Sequence, residues 1–192
     1  MRTNVEPVNI EVNWDKTLEL VSKTNRIGII NYVNSAFVNV SGYEESELLG
    51  QPHNIIRHPD MPKAIFRMLW ENLKQGKDFH AIIKNKAKDG KYYWIITQYD
   101  FFKDTEGDIN GYMARRKAVT PEVISKIEGV YKKIKNIEDT KGLDASMAYF
   151  AGFLDEQKQT YDEFLTSILK SSDKKEEKKA TEKKSFWNSL FS

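Results

Sequence analysis

The turn Lys88-Asp89-Gly90 lies between two runs rich in β-branched and aromatic residues, and it narrows the fold more than any other stretch. An Asp-Gly pair in this setting predicts a tight hairpin of residues 79–88 and 91–101. Its second strand is heavily aromatic at Tyr92, Tyr93 and Trp94. A further turn over Asp104–Asp108 leads to a third strand from Ile109 to Val119. Upstream, Thr17–Lys23 and Ile27–Val33 read as two short strands around Thr24-Asn25-Arg26. Between the strand groups come short helical stretches: Asn34–Ser41 stopped by Gly42, Glu44–Leu49 stopped by Gly50, and residues 63–75 closed by Gly76. The last of these sets Ile65, Met68, Leu69 and Leu73 on one face. Two strands, short helices and three strands predict an α+β domain over residues 16–120. Its five-stranded antiparallel sheet would carry the helices on one face.

The stretch Pro52-His53-Asn54-Ile55-Ile56-Arg57-His58-Pro59-Asp60-Met61-Pro62 holds three prolines and two of the three histidines. The prolines predict a rigid, non-helical segment. On its own it supports two readings: a ligand loop presenting Arg57, His58 and Asp60, or a stiff connector tied down by Arg57 and Asp60.

Residues 1–15 read as an N-terminal cap. At Thr120-Pro121-Glu122 an N-cap, a proline at the first helical position and an acid in the first turn start a new helix. Val123, Ile127, Val130, Ile134 and Ile137 form its stripe. After Gly142, a second helix capped by Asp144 would carry a seam of Met147, Phe150, Leu154, Gln157, Tyr161, Phe164 and Ile168. Residues 121–170 therefore form a helical hairpin that either buries its own seam or offers a homodimer or receptor-docking face. Residues 171–184 are a low-complexity charged stretch, read as a solvated linker. Residues 185–192 bring Phe186, Trp187, Leu190 and Phe191 together as a tail suited to a partner or a membrane surface.

The chain has no cysteine, which excludes disulfides, thiolate metal sites and iron–sulfur clusters. A net charge of +2 gives no argument for nucleic acid. No apolar run approaches the ~18–20 residues that span a bilayer, and the polar N-terminus is not a signal peptide, so a cytoplasmic protein is expected. No nucleophile–base pair, GxGxxG, Walker or HExxH pattern occurs, and no catalysis is expected.

Ile30-Asn-Tyr-Val-Asn-Ser-Ala-Phe37 and Val40-Ser-Gly-Tyr-Glu-Glu-Ser-Glu-Leu-Leu-Gly-Gln51, in this order of elements, resemble PAS sensor domains. The Pro52–Pro62 phrase sharpens the match. With Trp70, Lys84-Asn85, Tyr92-Tyr-Trp94, Gly111-Tyr-Met113 and Arg115-Arg-Lys117, it resembles the PAS domain of bacterial aerotaxis receptors of the Aer type. Thr160-Tyr-Asp-Glu-Phe164 further resembles stand-alone energy-taxis PAS proteins of the CetB type. The resemblance implies FAD bound between sheet and helices, with Asn34, Arg57, His58, Asp60 and Asn85 at the flavin. It implies a redox or oxygen signal handed by contact to a membrane chemoreceptor. Where the family often has a tryptophan, this chain has Phe79, which keeps stacking but loses the indole donor. Trp70 is either core or ligand contact. Haem is the rival cofactor, with His53, His58 or His80 as axial ligand; another ligand or an empty pocket is the further alternative, and a small flavoprotein reductase is the rival activity. Hydrogen bonds to Asn34 and Asn85 are expected to rearrange when the flavin is reduced.

Overall fold

The computed structural model describes residues 5–170. The charged linker and the apolar tail read from residues 171–192 lie outside the described residues. Five strands, β1 (Leu20–Asn25), β2 (Ile30–Val33), β3 (Phe79–Lys86), β4 (Tyr92–Lys103) and β5 (Ile109–Ala118), form one antiparallel sheet in the order β2-β1-β5-β4-β3. The hairpin around Asp89-Gly90 forms as the turn chemistry demands: Lys91 N–H donates to the Asp89 carboxylate and Gly90 N–H to the Ala87 carbonyl.

The N-terminal strands are shorter than their β-branched runs suggest. Asp15 accepts from the backbone and hydroxyl of Thr17, so a turn occupies the residues before Leu20. Asn25 accepts from Ile27 N–H and Ile29 N–H, which folds Ile27 into the β1–β2 turn. Residues 8–12 run beside β4, where Tyr92 N–H donates to the Ile10 carbonyl and Val12 N–H to the Tyr92 carbonyl.

Three helices, α1 (Ser35–Ser41), α2 (Glu45–Leu48) and α3 (Lys63–Lys74), connect β2 to β3. The Pro52–Pro62 segment is not wholly irregular, because His53–Ile56 closes a 3-10 turn. Pro52 precedes that turn, so its missing N–H costs nothing there. Ile55 and Ile56 bury beneath it.

β3 is an edge strand, and the chain covers its free backbone groups. Arg57 bridges to Asn85, the Met61 sulfur accepts from Lys84 N–H, and the Tyr131 hydroxyl donates to the Ile82 carbonyl at 2.9 Å. Tyr131 belongs to α4 (Pro121–Lys141), launched by Thr120, whose hydroxyl accepts from Val123 N–H. Strand alternation puts Trp94 on the face opposite Tyr93 and Ile95, and Tyr131 stacks on Trp94 at 6.4 Å. α4, which follows the 16–120 domain, covers part of the second face.

The seam expected from Met147 to Ile168 is divided. α5 (Leu143–Glu156) is capped by Gly142, not by Asp144, whose side chain reaches Arg67 instead. It ends at Gln157, which is exposed, and Lys158 turns the chain with a φ of 52°. A further helix, α6 (residues 161–170), starts from a capping box in which Thr160 and Glu163 exchange hydrogen bonds. α6 folds back so that Tyr161 stacks on Phe79 at 5.2 Å and meets Phe150 edge-on at 5.9 Å. Phe150, Leu154, Tyr161, Phe164 and Ile168 are all buried within the chain. Of the two uses left open for the seam, this is internal burial.

Candidate functional site

A cavity of about 310 Å³ lies between α3 and the inner face of the sheet. It offers room for a fused-ring head group and opens to solvent on one side. One wall is α3, which contributes Phe66, Leu69, Trp70 and Leu73 at helical spacing. The floor is built by strand alternation: Ser22 and Thr24 from β1, Ile83 and Asn85 from β3, Tyr99 from β4, and Tyr112, Ala114 and Arg116 from β5. The 3-10 turn supplies His53, Asn54 and Ile56, and Arg57 follows at its end. Trp70 meets Tyr112 edge-on at 5.4 Å. The β1–β2 turn passes so near that a Cβ on Gly28 would stand 3.2 Å from the Trp70 ring, at a φ of 83° that only glycine adopts readily.

The cavity is polarised. Arg116 is 1% exposed, yet its guanidinium meets no carboxylate among the described residues. It donates from Nη1 to the Ser22 hydroxyl (3.0 Å) and the Ala114 carbonyl (3.1 Å), and from Nη2 to His53 Nε2 (2.9 Å). Burial, and then the charge of Arg116, push the His53 imidazole down to about 3, so it is neutral. Its Nε2 then serves as acceptor for both Arg116 and the Ser22 hydroxyl, at 2.9 Å. Burial also holds the Tyr99 and Tyr112 hydroxyls above their ordinary range. Arg57 lies over the Phe66 ring at 4.2 Å and donates to the Met61 carbonyl. No Asp or Glu lines the wall among the described residues. The site therefore presents two cations, neutral donors and acceptors, and aromatic walls.

Of the residues implied to hold a flavin, Arg57, Asn85 and Trp70 come together on this wall. The others do not line it. Asn34 caps α1: its Oδ1 accepts from Phe37 N–H and Val21 N–H, and its Nδ2 donates to the Glu19 carbonyl. Its amide is engaged by backbone on both sides, in a capping role away from the cavity. Phe79 stacks on Tyr161, outside the cavity.

His58 and Asp60 sit beside the outward side chains of β3 and β4. The His58 ring meets Tyr92 edge-on, and its Nδ1 accepts from Asp60 N–H at 3.1 Å. Burial, with Lys84 nearby, pushes His58 down to about 4. It is therefore neutral, and its 3.4 Å approach to the Asp60 carboxylate is not an ion pair. Burial pushes the Asp60 carboxyl up, but the Lys84 hydrogen bond and the nearby positive charge outweigh it and hold the carboxyl below its usual range. Lys84 Nζ donates to Asp60 at 2.8 Å and lies 4.7 Å from the Tyr92 ring centroid. Of the three histidines weighed as haem ligands, His53 lines the cavity with its Nε2 accepting from Arg116, His58 lies at the β3 edge and does not line it, and His80 is exposed on β3.

Arg116 was not legible as a site residue in the run Arg115-Arg116-Lys117, which reads as a basic end to the sheet, and Ser22 carried no signal of its own. The available signal was period two: Tyr112, Ala114 and Arg116 share a face, which puts the middle arginine inward.

Residues 30–114 match the family model described as the PAS fold. The chain is 40% identical over 135 residues to the aerotaxis receptor of Escherichia coli, covering 70% of this chain and 26% of the receptor. It is 25% identical over 100 residues to the nitrogen fixation regulatory protein of Klebsiella pneumoniae, covering 52% of this chain and 20% of that protein. The chain thus spans about a quarter or less of these relatives' own length. Among solved structures, a light-oxygen-voltage domain studied with a flavin analogue superposes with a TM-score of 0.51 at 22% identity, covering 64% of this chain and 87% of that one. No helix among the described residues is long and apolar enough to cross a membrane. Sequence match and sheet order converge on one identification: this chain carries a PAS domain similar to that of bacterial aerotaxis receptors.

Proposed function

We propose that the chain is a flavin-binding redox sensor, with FAD as the flavin, that passes its state by contact to a membrane chemoreceptor. The observation that carries this reading is the cavity itself: aromatic walls, two arginines and no acid, with the buried charge of Arg116 uncompensated. A buried cation lacking a counter-charge is costly unless a ligand supplies acceptors. A flavin ring has an apolar body and a polar edge, which suits Trp70 and Phe66 on one side and Asn85, Ser22 and Arg116 on the other. The ring would lie against these walls, and Arg57 provides a fixed cation for a phosphate of FAD.

A bound flavin supplies a redox couple whose ring changes charge and protonation. The chain's own residues carry that change outward. α3 bears the aromatic wall, and its N-terminus has no side-chain cap of its own because Pro62 occupies the cap position. Glu138 of α4 fills that role, accepting from Ala64 N–H at 3.1 Å. A shift of α3 against the ligand therefore reaches α4 through one hydrogen bond. Throwing a two-state element from 1:99 to 99:1 takes about 5.5 kcal/mol of differential interaction. One hydrogen bond to a charged group supplies about 1.5–3 kcal/mol. Two or three contacts must act together, and Arg57, Asn85 and Arg116 are the set this cavity offers.

The test is the visible absorption of the purified chain, alone and after incubation with riboflavin, FMN and FAD. Flavin bands that survive gel filtration support the reading. A Soret band, or a protein that retains none of the three, contradicts it. Steady anaerobic NADH oxidation by the flavin-loaded chain with ferricyanide supplied as electron acceptor would contradict a role confined to sensing.

A further inference from the structure

Arg116 brings a buried charge to the cavity floor, and its partners fix what that charge can do to a ligand. Its charge is buried at the meeting point of three elements: Ser22 on β1, His53 on the 3-10 turn, and β5, which carries it. Each partner it touches is neutral, so the arrangement solvates the guanidinium without neutralising it. The ionisable groups facing the cavity are His53, Arg57, Tyr99, Tyr112 and Arg116, and no carboxylate comes from α3, β1, β3, β4 or β5. Arg57 lies over the Phe66 ring and donates to the Met61 carbonyl. The cavity is therefore electropositive at a fixed point on its floor, whatever occupies it.

We propose that Arg116, braced by Ser22 and His53, faces the pyrimidine edge of a flavin in this cavity and holds the reduced ring as its anion. This rests on the flavin reading above. Two electrons and one proton convert the oxidised ring to the reduced monoanion, and a second proton would neutralise it. The negative charge of the monoanion sits on the pyrimidine edge, so a fixed cation there disfavours the second proton. Neutral His53 keeps its acceptor nitrogen on the guanidinium, so it orients Arg116 without competing for the ring. Ser22 does the same through its hydroxyl oxygen. Arg116 is also four residues before Thr120, the cap of α4, which joins the charged end of the cavity to the outgoing helix.

The experiment uses the full chain loaded with FAD, reduced anaerobically with dithionite and titrated through pH by near-ultraviolet absorbance. In the wild type the reduced flavin ionises about 1–3 pH units below free reduced FAD in the same buffer. Arg116→Gln returns that ionisation to the free value or above, and Arg116→Lys keeps it within about one unit of wild type. Ionisation of the wild-type complex at or above the free value overturns the proposal, whether or not Arg116→Gln folds. An unchanged titration in flavin-loaded Arg116→Gln overturns it as well. A wild-type chain that takes up no FAD instead overturns the flavin reading, and this assignment with it.

Discussion

The two halves of the Pro52–Pro62 loop do different work. Residues 53–57 turn their polar groups into the cavity, where His53 meets Arg116 and Arg57 lies over Phe66. Residues 58–61 turn to the opposite side of the β3 edge, where His58, Asp60, Lys84 and Tyr92 form their own cluster and Met61 accepts from Lys84 N–H. The switch occurs at Arg57, whose extended backbone bridges to Asn85. In an extended segment neighbouring side chains point to opposite sides, so Arg57 and His58 cannot both enter the cavity. Proximity in sequence made one polar cluster of what the sheet edge separates into a ligand-facing half and a bracing half.

This division can be broken from either side. Met61 is 1% exposed on the bracing half, and Met61→Ala both opens a cavity and removes the acceptor for Lys84 N–H. It is expected to cost about 2–5 kcal/mol in urea unfolding of the ligand-free chain. Acid should act on the same half and on its neighbour. The folded chain holds His58 down to about 4 and His53 down to about 3, against 6.5 for an unperturbed histidine. The unfolded chain therefore takes up protons that the folded chain refuses, and stability falls as pH drops from about 6.5 toward 4. At ~1.4 kcal/mol per unit the His58 share is about 3 kcal/mol by pH 4. His58→Gln should flatten that slope in unfolding curves collected across this range, and an unchanged slope would mean that His58 is not held neutral.

On the ligand-facing half, Arg57→Ala should weaken flavin binding by about 1.5–3 kcal/mol, the worth of a hydrogen bond to a charged group. The ligand-free chain should lose much less. Asp60→Asn should show the smallest effect on the ligand. It leaves the ammonium of Lys84, which is 8% exposed, without its carboxylate, and should cost about 1–3 kcal/mol of folding stability. Flavin binding should weaken by no more than that, because the loop carrying Arg57 is loosened rather than stripped of a contact.

Much of the fold was readable because local and global signals agreed. The Asp89-Gly90 turn, the N-cap at Thr120 with Pro121 after it, and Gly42 at the end of α1 each ended or began an element where expected. The α5–α6 break was harder to see because the apolar stripe continues across it in heptad register. Thr160 and Glu163 carried the opposing signal of a capping box, and the structure follows the cap. At the site, Arg57, Asn85 and Trp70 were accessible through a distinctive loop and a family resemblance. Asn34, His58, Asp60 and Phe79 came by the same route, yet the geometry assigns them to a helix cap, an edge cluster and an α6 contact. Arg116 went unread because three successive basic residues suggest a surface, whereas a strand sends the middle one inward.

One loop half contacts the ligand while the other braces it. Fluorescence titration with FAD, run beside urea unfolding of the ligand-free chain, tests it for Arg57→Ala and Asp60→Asn. The account predicts that Arg57→Ala loses more binding than stability, and that Asp60→Asn loses at least as much stability as binding. The reverse pattern, with Asp60→Asn losing its flavin at full stability and Arg57→Ala binding normally, would contradict it.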